Sequence, residues 1–299
     1  MRCMTWVGSI EGICRNELRP TFLKLEPRVM PWTNAERDRR LLEVLQEMKE
    51  NFERDPEAAV RSQAFIQTFH RFIATDLDSF LSPAARRAGI RVVEEAAIYG
   101  SYKSKNVDVA VVHPTNGPLI MVGVRSQMSS VGKNVLTYYQ DIVGEAISLQ
   151  ERFPMCVMGY AYMHPLEVRP WQKRNGTCTQ AENPNHQRFA KLYAAIGQRD
   201  NRLYKHLTGS YDQFAYSVVD FHADPLTVRD DIVVAGVNDI DLSIRTFVPR
   251  LIDTFHVRNL WLMDIFEPTG ADDFPVEDAD DRGLDDALVE TEAPDADHN

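Results

Sequence analysis

The side chains best suited to chemistry fall in four short stretches. Asp108 stands in NVDVAVV, Arg125 and Gln127 end the run PLIMVGVRSQ, Lys133 follows six residues later, and the pair Glu94–Glu95 lies upstream in IRVVEEAAIYG. Carboxylates gather hard divalent cations through their oxygens. A guanidinium holds a phosphate through two parallel hydrogen bonds but stays charged, so it is a poor proton acceptor. In a strand alternate residues share a face, so Gly123, Arg125 and Gln127 point one way and Val122, Val124 and Ser126 the other. An arginine and an amide on a strand that otherwise reads as buried are expensive unless carboxylates meet them or they face a cleft. Asp108 on the preceding strand, joined by a short hairpin, offers a carboxylate, and Lys133 opens the next helix.

The elements that must position these groups follow from periodicity. Thr33 and Glu36 have capping-box spacing, and leucines at 41, 42 and 45 predict a helix over 34–54. A second helix runs from about Glu57 to Phe80, with Phe65, Phe69, Phe72 and Ile73 on one stripe, and Ser82-Pro83 ends it. The period then shortens to two. Strands are expected over 90–100, 107–114 and 118–127, joined by the polar turn SYKSKN and the hairpin signal TNG. A helix over 131–152, capped by Ser129 or Ser130, presents Val135, Tyr139, Ile142, Ala146 and Leu149 on one face. A strand over 155–165, an exposed loop over 166–186, a helix over 187–196, a strand ending at Asp220 and a closing helix over 239–259, kinked at Pro249, complete the reading.

The order helix, three strands, helix, strand, with Asp108 on the second strand and GVR on the third, resembles the core of the PD-(D/E)XK nuclease superfamily. The resemblance covers about Glu57 to Pro165, a little over a third of the chain. It implies an α/β (α+β) fold: a restriction-endonuclease-like core with a mixed central sheet flanked by helices, and an additional C-terminal strand and helix. The implied activity is a Mg²⁺-dependent (or Mn²⁺-dependent) endonuclease hydrolysing DNA phosphodiester bonds. In such a site the metal activates a water and neutralises charge on the scissile phosphate, and a neighbouring cation or hydrogen-bond donor orients that water. The chain departs from the pattern in that Gly123 replaces the second acid and Arg125 the lysine.

The resemblance therefore implies Asp108, Arg125, Gln127 and Lys133 as catalytic residues and Asp108 with Glu95 as metal ligands, in one of two arrangements. Arg125 and Gln127 clamp the phosphate and contact the water while Glu95 or Glu94 completes the metal site, or Lys133 takes the missing lysine's place with Glu145 assisting. The alternative is a nuclease-fold protein that binds DNA or serves as a scaffold without catalysis. Lys103 and Lys105 in the polar turn, and Arg169, Lys173 and Arg174 in the loop RPWQKRNG, are candidate DNA contacts, the aromatic residue there adding stacking. Two-fold duplex sites favour a homodimer.

Bulk properties narrow the classes. The chain of 299 residues carries a net charge of −11, but residues 267–299 hold thirteen acids and one arginine. The remaining 266 residues are near +1, so the acidic whole-chain balance does not exclude a DNA-binding cleft. The tail's composition predicts a disordered acidic segment, residues 33–266 a folded domain, and residues 1–32 an arm or an over-extended start ahead of Met30. The four cysteines show no CxxC, and no P-loop or GxGxxG precedes a helix. No apolar run approaches the roughly 20 residues of a membrane span, and no secretory signal is evident, so the expectation is a cytoplasmic protein without a membrane partner.

Overall fold

The computed structural model describes residues 30–55, 64–127, 131–169, 171–172, 174–178, 180–197 and 210–269. The acidic tail beyond 269 and the arm before 30 lie outside the described residues, as does the start of the second expected helix at 57–63.

Helix α1 spans Asn34–Arg54, and the Thr33 hydroxyl accepts the Glu36 N–H at 3.2 Å, the cap its spacing predicts. Helix α2 (Ala64–Ser79) buries Phe65, Phe69, Phe72, Ile73 and Leu77 along one stripe. Each such side chain contributes about 1.5–3 kcal/mol by leaving water, which fixes the rotation of α2 on the sheet. Ser82 does not end the helical region. It caps a further short helix, α3 (Pro83–Arg87), its hydroxyl accepting the Ala85 N–H at 3.0 Å with Pro83 in the first turn.

Three antiparallel strands follow: β1 (Arg91–Tyr99), β2 (Ser104–His113) and β3 (Gly117–Ser126). The turn between β1 and β2 is tighter than the sequence suggests, because the Gly100 N–H donates to the Lys103 carbonyl at 2.9 Å and Ser104–Asn106 join the strand. Helix α4 (Val131–Arg152) returns the chain to β4 (Val157–Pro165), which lies parallel to β3. The expected loop at 166–186 contains a small hairpin, β5 (Trp171–Gln172) with β6 (Thr177–Cys178), and a bridge between Val168 and Glu182. Helix α5 (His186–Ala194) leads to β7 (Gln213–Asp220), parallel to β4, and β8 (Thr227–Val228) closes that edge.

The result is an α+β protein with a six-stranded mixed sheet in the order β1-β2-β3-β4-β7-β8, flanked by helices. One face packs on α1, α2 and the last helix, α7 (Phe247–Arg258), and the other on α4 and α5. A short α6 (Asp230–Gly236) precedes α7. The closing helix is shorter than its pattern implies. Asp241 and Ser243 accept backbone N–H groups two residues on, which holds 241–245 in turns. Pro249 is the third residue of α7, where its missing N–H interrupts nothing, so it does not act as a mid-helix kink. Among the described residues no helix is long and apolar enough to cross a membrane.

Candidate metal centre

Alternation fails at Leu119–Ile120 of β3, where the register with β2 shifts, and again where the acids sit. Val109 and Val111 of β2 pack with α1, α2 and α7, while Ala110 packs on the opposite face with α4. Val107 should share the face of Val109 but belongs to the cluster of Ala110. On β1 the same reversal occurs, because Val93 and Ala96, three residues apart, pack in one cluster. The residue that resets β1 is Glu95, whose φ of +51° lies in the left-handed region. A side chain rarely adopts that conformation, which costs roughly 1–2 kcal/mol.

The registers Glu94↔Val109 and Ala96↔Val107 place Glu95 across from Asp108. On its other side β2 is leaving β3: their ladder runs from His113↔Gly117 to Val109↔Val122 and stops. The N–H of Val124 is taken by the Asp108 carboxylate, which accepts it at 2.6 Å. Asp108 thus substitutes for a strand carbonyl at a fork in the sheet.

Helix α2 brings His70 to the same point. Its Nδ1 lies 3.3 Å from Glu95 Oε1, and one ligand atom each of His70, Glu95 and Asp108 fall within 4.8 Å of one another. His70 is buried, Asp108 half-buried, and the Glu95 side chain 37% exposed, so the group opens to solvent on one side. Neither His70 nitrogen has a partner in hydrogen-bonding geometry, which is unusual for a buried imidazole. Burial pushes the His70 pKa below its ordinary value, against the opposing pull of Glu95 and Glu94, so the ring is neutral and keeps a lone pair. Burial raises the pKa of Asp108, while the Val124 N–H and the charge of Lys105 oppose that rise. Two carboxylates and a neutral imidazole with an unpaired nitrogen form a donor set that could hold a metal ion.

The other expected residues are placed as follows. Gly123 lies against Tyr160, and a Cβ there would sit 2.5 Å from the ring, so the position where the resemblance puts a second acid has no room for a side chain. Among the described residues no carboxylate pairs with Arg125; its guanidinium lies 4.4 Å from the Tyr138 ring centroid on the α4 side of the sheet. Gln127 is buried, with the Tyr162 hydroxyl 3.3 Å from its Oε1. Lys133 is in the first turn of α4, with its side chain outside the described residues. Glu145 is engaged by Lys105 at 2.5 Å, and the two line a narrow gap beside Asp108. Lys103 and Arg174 are exposed, Arg169 pairs with Glu167 at 3.0 Å, and Lys173 lies outside the described residues.

Sequence reasoning missed His70. It sits beside Phe69 in a strongly apolar helix, where a histidine normally reads as a core residue, and nothing local separates the two cases. Comparison with protein-family models, with curated proteins and with solved structures gave no match to this chain.

Proposed function

We propose that the chain is a metal-dependent phosphodiesterase acting on nucleic acid, with a restriction-endonuclease-like core and with His70, Glu95 and Asp108 as the metal ligands. The observation that carries the reading is the meeting of those three side chains at the fork between β2 and β3, with both His70 nitrogens unpartnered. The helix–strand–strand–strand–helix–strand order around that fork supports it. A bound divalent ion supplies a Lewis acid and an activated water at neutral pH. The chain's own part is to fix the ligands. The Val124 N–H fixes the Asp108 carboxylate and opposes the rise that burial gives its pKa, the burial of His70 keeps it neutral, and Glu95 faces solvent, from which a phosphate enters. The imidazole nitrogen favours Mn²⁺ or a later transition metal over Mg²⁺, which prefers an all-oxygen shell. Exposed Lys103 and Arg174 are proposed as backbone-phosphate contacts.

A second reading, nucleic-acid binding without cleavage, draws on Tyr160 filling the space at Gly123. Plasmid and oligonucleotide cleavage with Mn²⁺ and with Mg²⁺, on wild type, Asp108→Asn and His70→Ala, separates the two. Metal-dependent cleavage abolished by both substitutions is expected. Salt-dependent retention of DNA without cleavage under any metal establishes the second reading instead. Cleavage equally fast in Asp108→Asn rules out this site.

A further inference from the structure

Among the described residues Arg125 is a cation without an ion-pair partner. It lies near the C-terminal end of β3, opposite Tyr162 of β4. Its Nη1 is buried and has no hydrogen-bond partner, and among the described residues no carboxylate pairs with it. The two carboxylates whose charges reach it are already engaged, Glu145 by Lys105 and Asp108 by the Val124 N–H. The face of Tyr138 offers the guanidinium a cation–π contact but no acceptor for its N–H groups. A half-buried guanidinium with an unsatisfied N–H is costly and survives where an oxyanion satisfies it. The surroundings suit one. Tyr162 and Tyr193 stack at 4.9 Å, and the Tyr193 hydroxyl has no partner in hydrogen-bonding geometry. Burial pushes both phenols well above their ordinary pKa, so they stay neutral; the Tyr162 O–H is donated to Gln127 Oε1, and that of Tyr193 is free to donate. Arg125 and Tyr162 also sit toward the C-terminal ends of parallel strands, where open sheets with crossover helices bind their ligands.

We propose that Arg125, with the Tyr193 hydroxyl as a neutral donor, anchors a subsite for a phosphodiester group, distinct from the three metal-ligand side chains. A single guanidinium with neutral neighbours matches the single charge of a diester better than the double charge of a terminal phosphate. The subsite deepens the proposed function, since it holds a backbone phosphate of the nucleic acid away from the one cleaved, but it needs no metal to act.

The test is binding of a short single-stranded DNA in EDTA over a range of salt, with thermal unfolding of the same proteins measured alongside. The proteins are wild type, Arg125→Met, Arg125→Lys and Arg229→Met. Arg125→Met is expected to lose about tenfold in affinity and about one unit in the slope of log K against log salt. Its unfolding midpoint should equal or exceed that of wild type, because an unsatisfied charge has been removed. Arg125→Lys should fall between the two. Arg229→Met, an exposed arginine paired with Asp231 at the far edge of the sheet, should bind as wild type does, and the absence of metal in the assay keeps loss of metal chemistry and loss of the subsite separate. A lowered midpoint in Arg125→Met with unchanged DNA affinity makes the guanidinium structural and overturns the proposal. No DNA binding by wild type in EDTA overturns it too. Equal affinity for 5′-phosphorylated and 5′-hydroxyl oligonucleotides is expected, and a preference for the former reassigns the site to a terminal phosphate and defeats the diester assignment.

Discussion

Glu95 stands across the β1–β2 ladder from Asp108, and its backbone occupies the left-handed region at φ +51°. Both strands reverse their in–out alternation at this pair. A non-glycine residue held there raises the energy of the fold, and the return is a carboxylate aimed at His70 and Asp108. Stability and ligand binding therefore oppose each other at one residue.

Glu95→Gly removes the strain, since glycine adopts positive φ freely. Stability in the absence of metal should rise by about 1 kcal/mol, partly offset by glycine's greater freedom in the unfolded chain. The stabilisation produced by Mn²⁺ in wild type should disappear. Urea denaturation with and without Mn²⁺ checks both halves, and a variant that loses stability without metal contradicts the strain account.

His70→Ala should weaken Mn²⁺ binding by roughly 10–100-fold in titration calorimetry, because one of three protein ligands is lost. Binding in wild type should also weaken as pH falls through the acid range, since a protonated imidazole has no lone pair to give.

Burial lowers the pKa of His70, of His164 and of His186 below the ordinary 6.5. The His164 and His186 Nδ1 atoms both meet the Tyr216 hydroxyl, at 3.0 and 2.9 Å, and His186 Nε2 donates to the Leu166 carbonyl at 3.0 Å. The unfolded chain then binds protons that the native state refuses. The stability these neutral rings contribute is complete above about pH 6.5 and falls as pH drops below it. Unfolding free energy measured from pH 7.5 to 5 should decline on that limb, and His164→Gln should flatten it. An unchanged slope in that variant excludes His164 as a source.

Gly123→Ala places a methyl 2.5 Å from the Tyr160 ring, against a tyrosine that also stacks on Phe214 and meets Tyr211 edge-on. The expected cost is about 1–3 kcal/mol by chemical denaturation. Tyr160→Phe, which leaves the ring in place, should not relieve it, whereas Tyr160→Ala combined with Gly123→Ala should cost less than the sum of the two alone.

Arg37 of α1 and Asp76 of α2 form a buried pair at 2.6 Å, both almost wholly shielded from solvent. Asp76→Ala leaves the guanidinium buried and unpaired and should destabilise by about 3–5 kcal/mol. The metal-linked increment in stability should remain in whatever fraction folds, since neither residue touches the metal group.

Most of the secondary structure was legible because each element carries its own period or cap. Thr33 and Glu36 marked the start of α1, the phenylalanine stripe marked α2, and the apolar faces of α4 and β7 were plain. Alternation on β3 also placed Gly123, Arg125 and Gln127 on a shared face, without saying which side of the sheet that face meets. The short α3, the β5–β6 hairpin and α6 were not seen, since elements of two to seven residues leave too few positions for a period to show.

The sequence by itself determined the residue types available for chemistry, Asp108 and Glu95 among them, and the order in which helices and strands deliver them. Only the tertiary structure decided that His70 completes the group, that Glu95 rather than Glu94 turns toward Asp108, and that Arg125 stands on the other side of the sheet. The reason is physical. Alternation and helical period are local and hold within one element, whereas a left-handed residue, a fork between strands and the approach of a distant helix arise from packing between elements far apart in the chain.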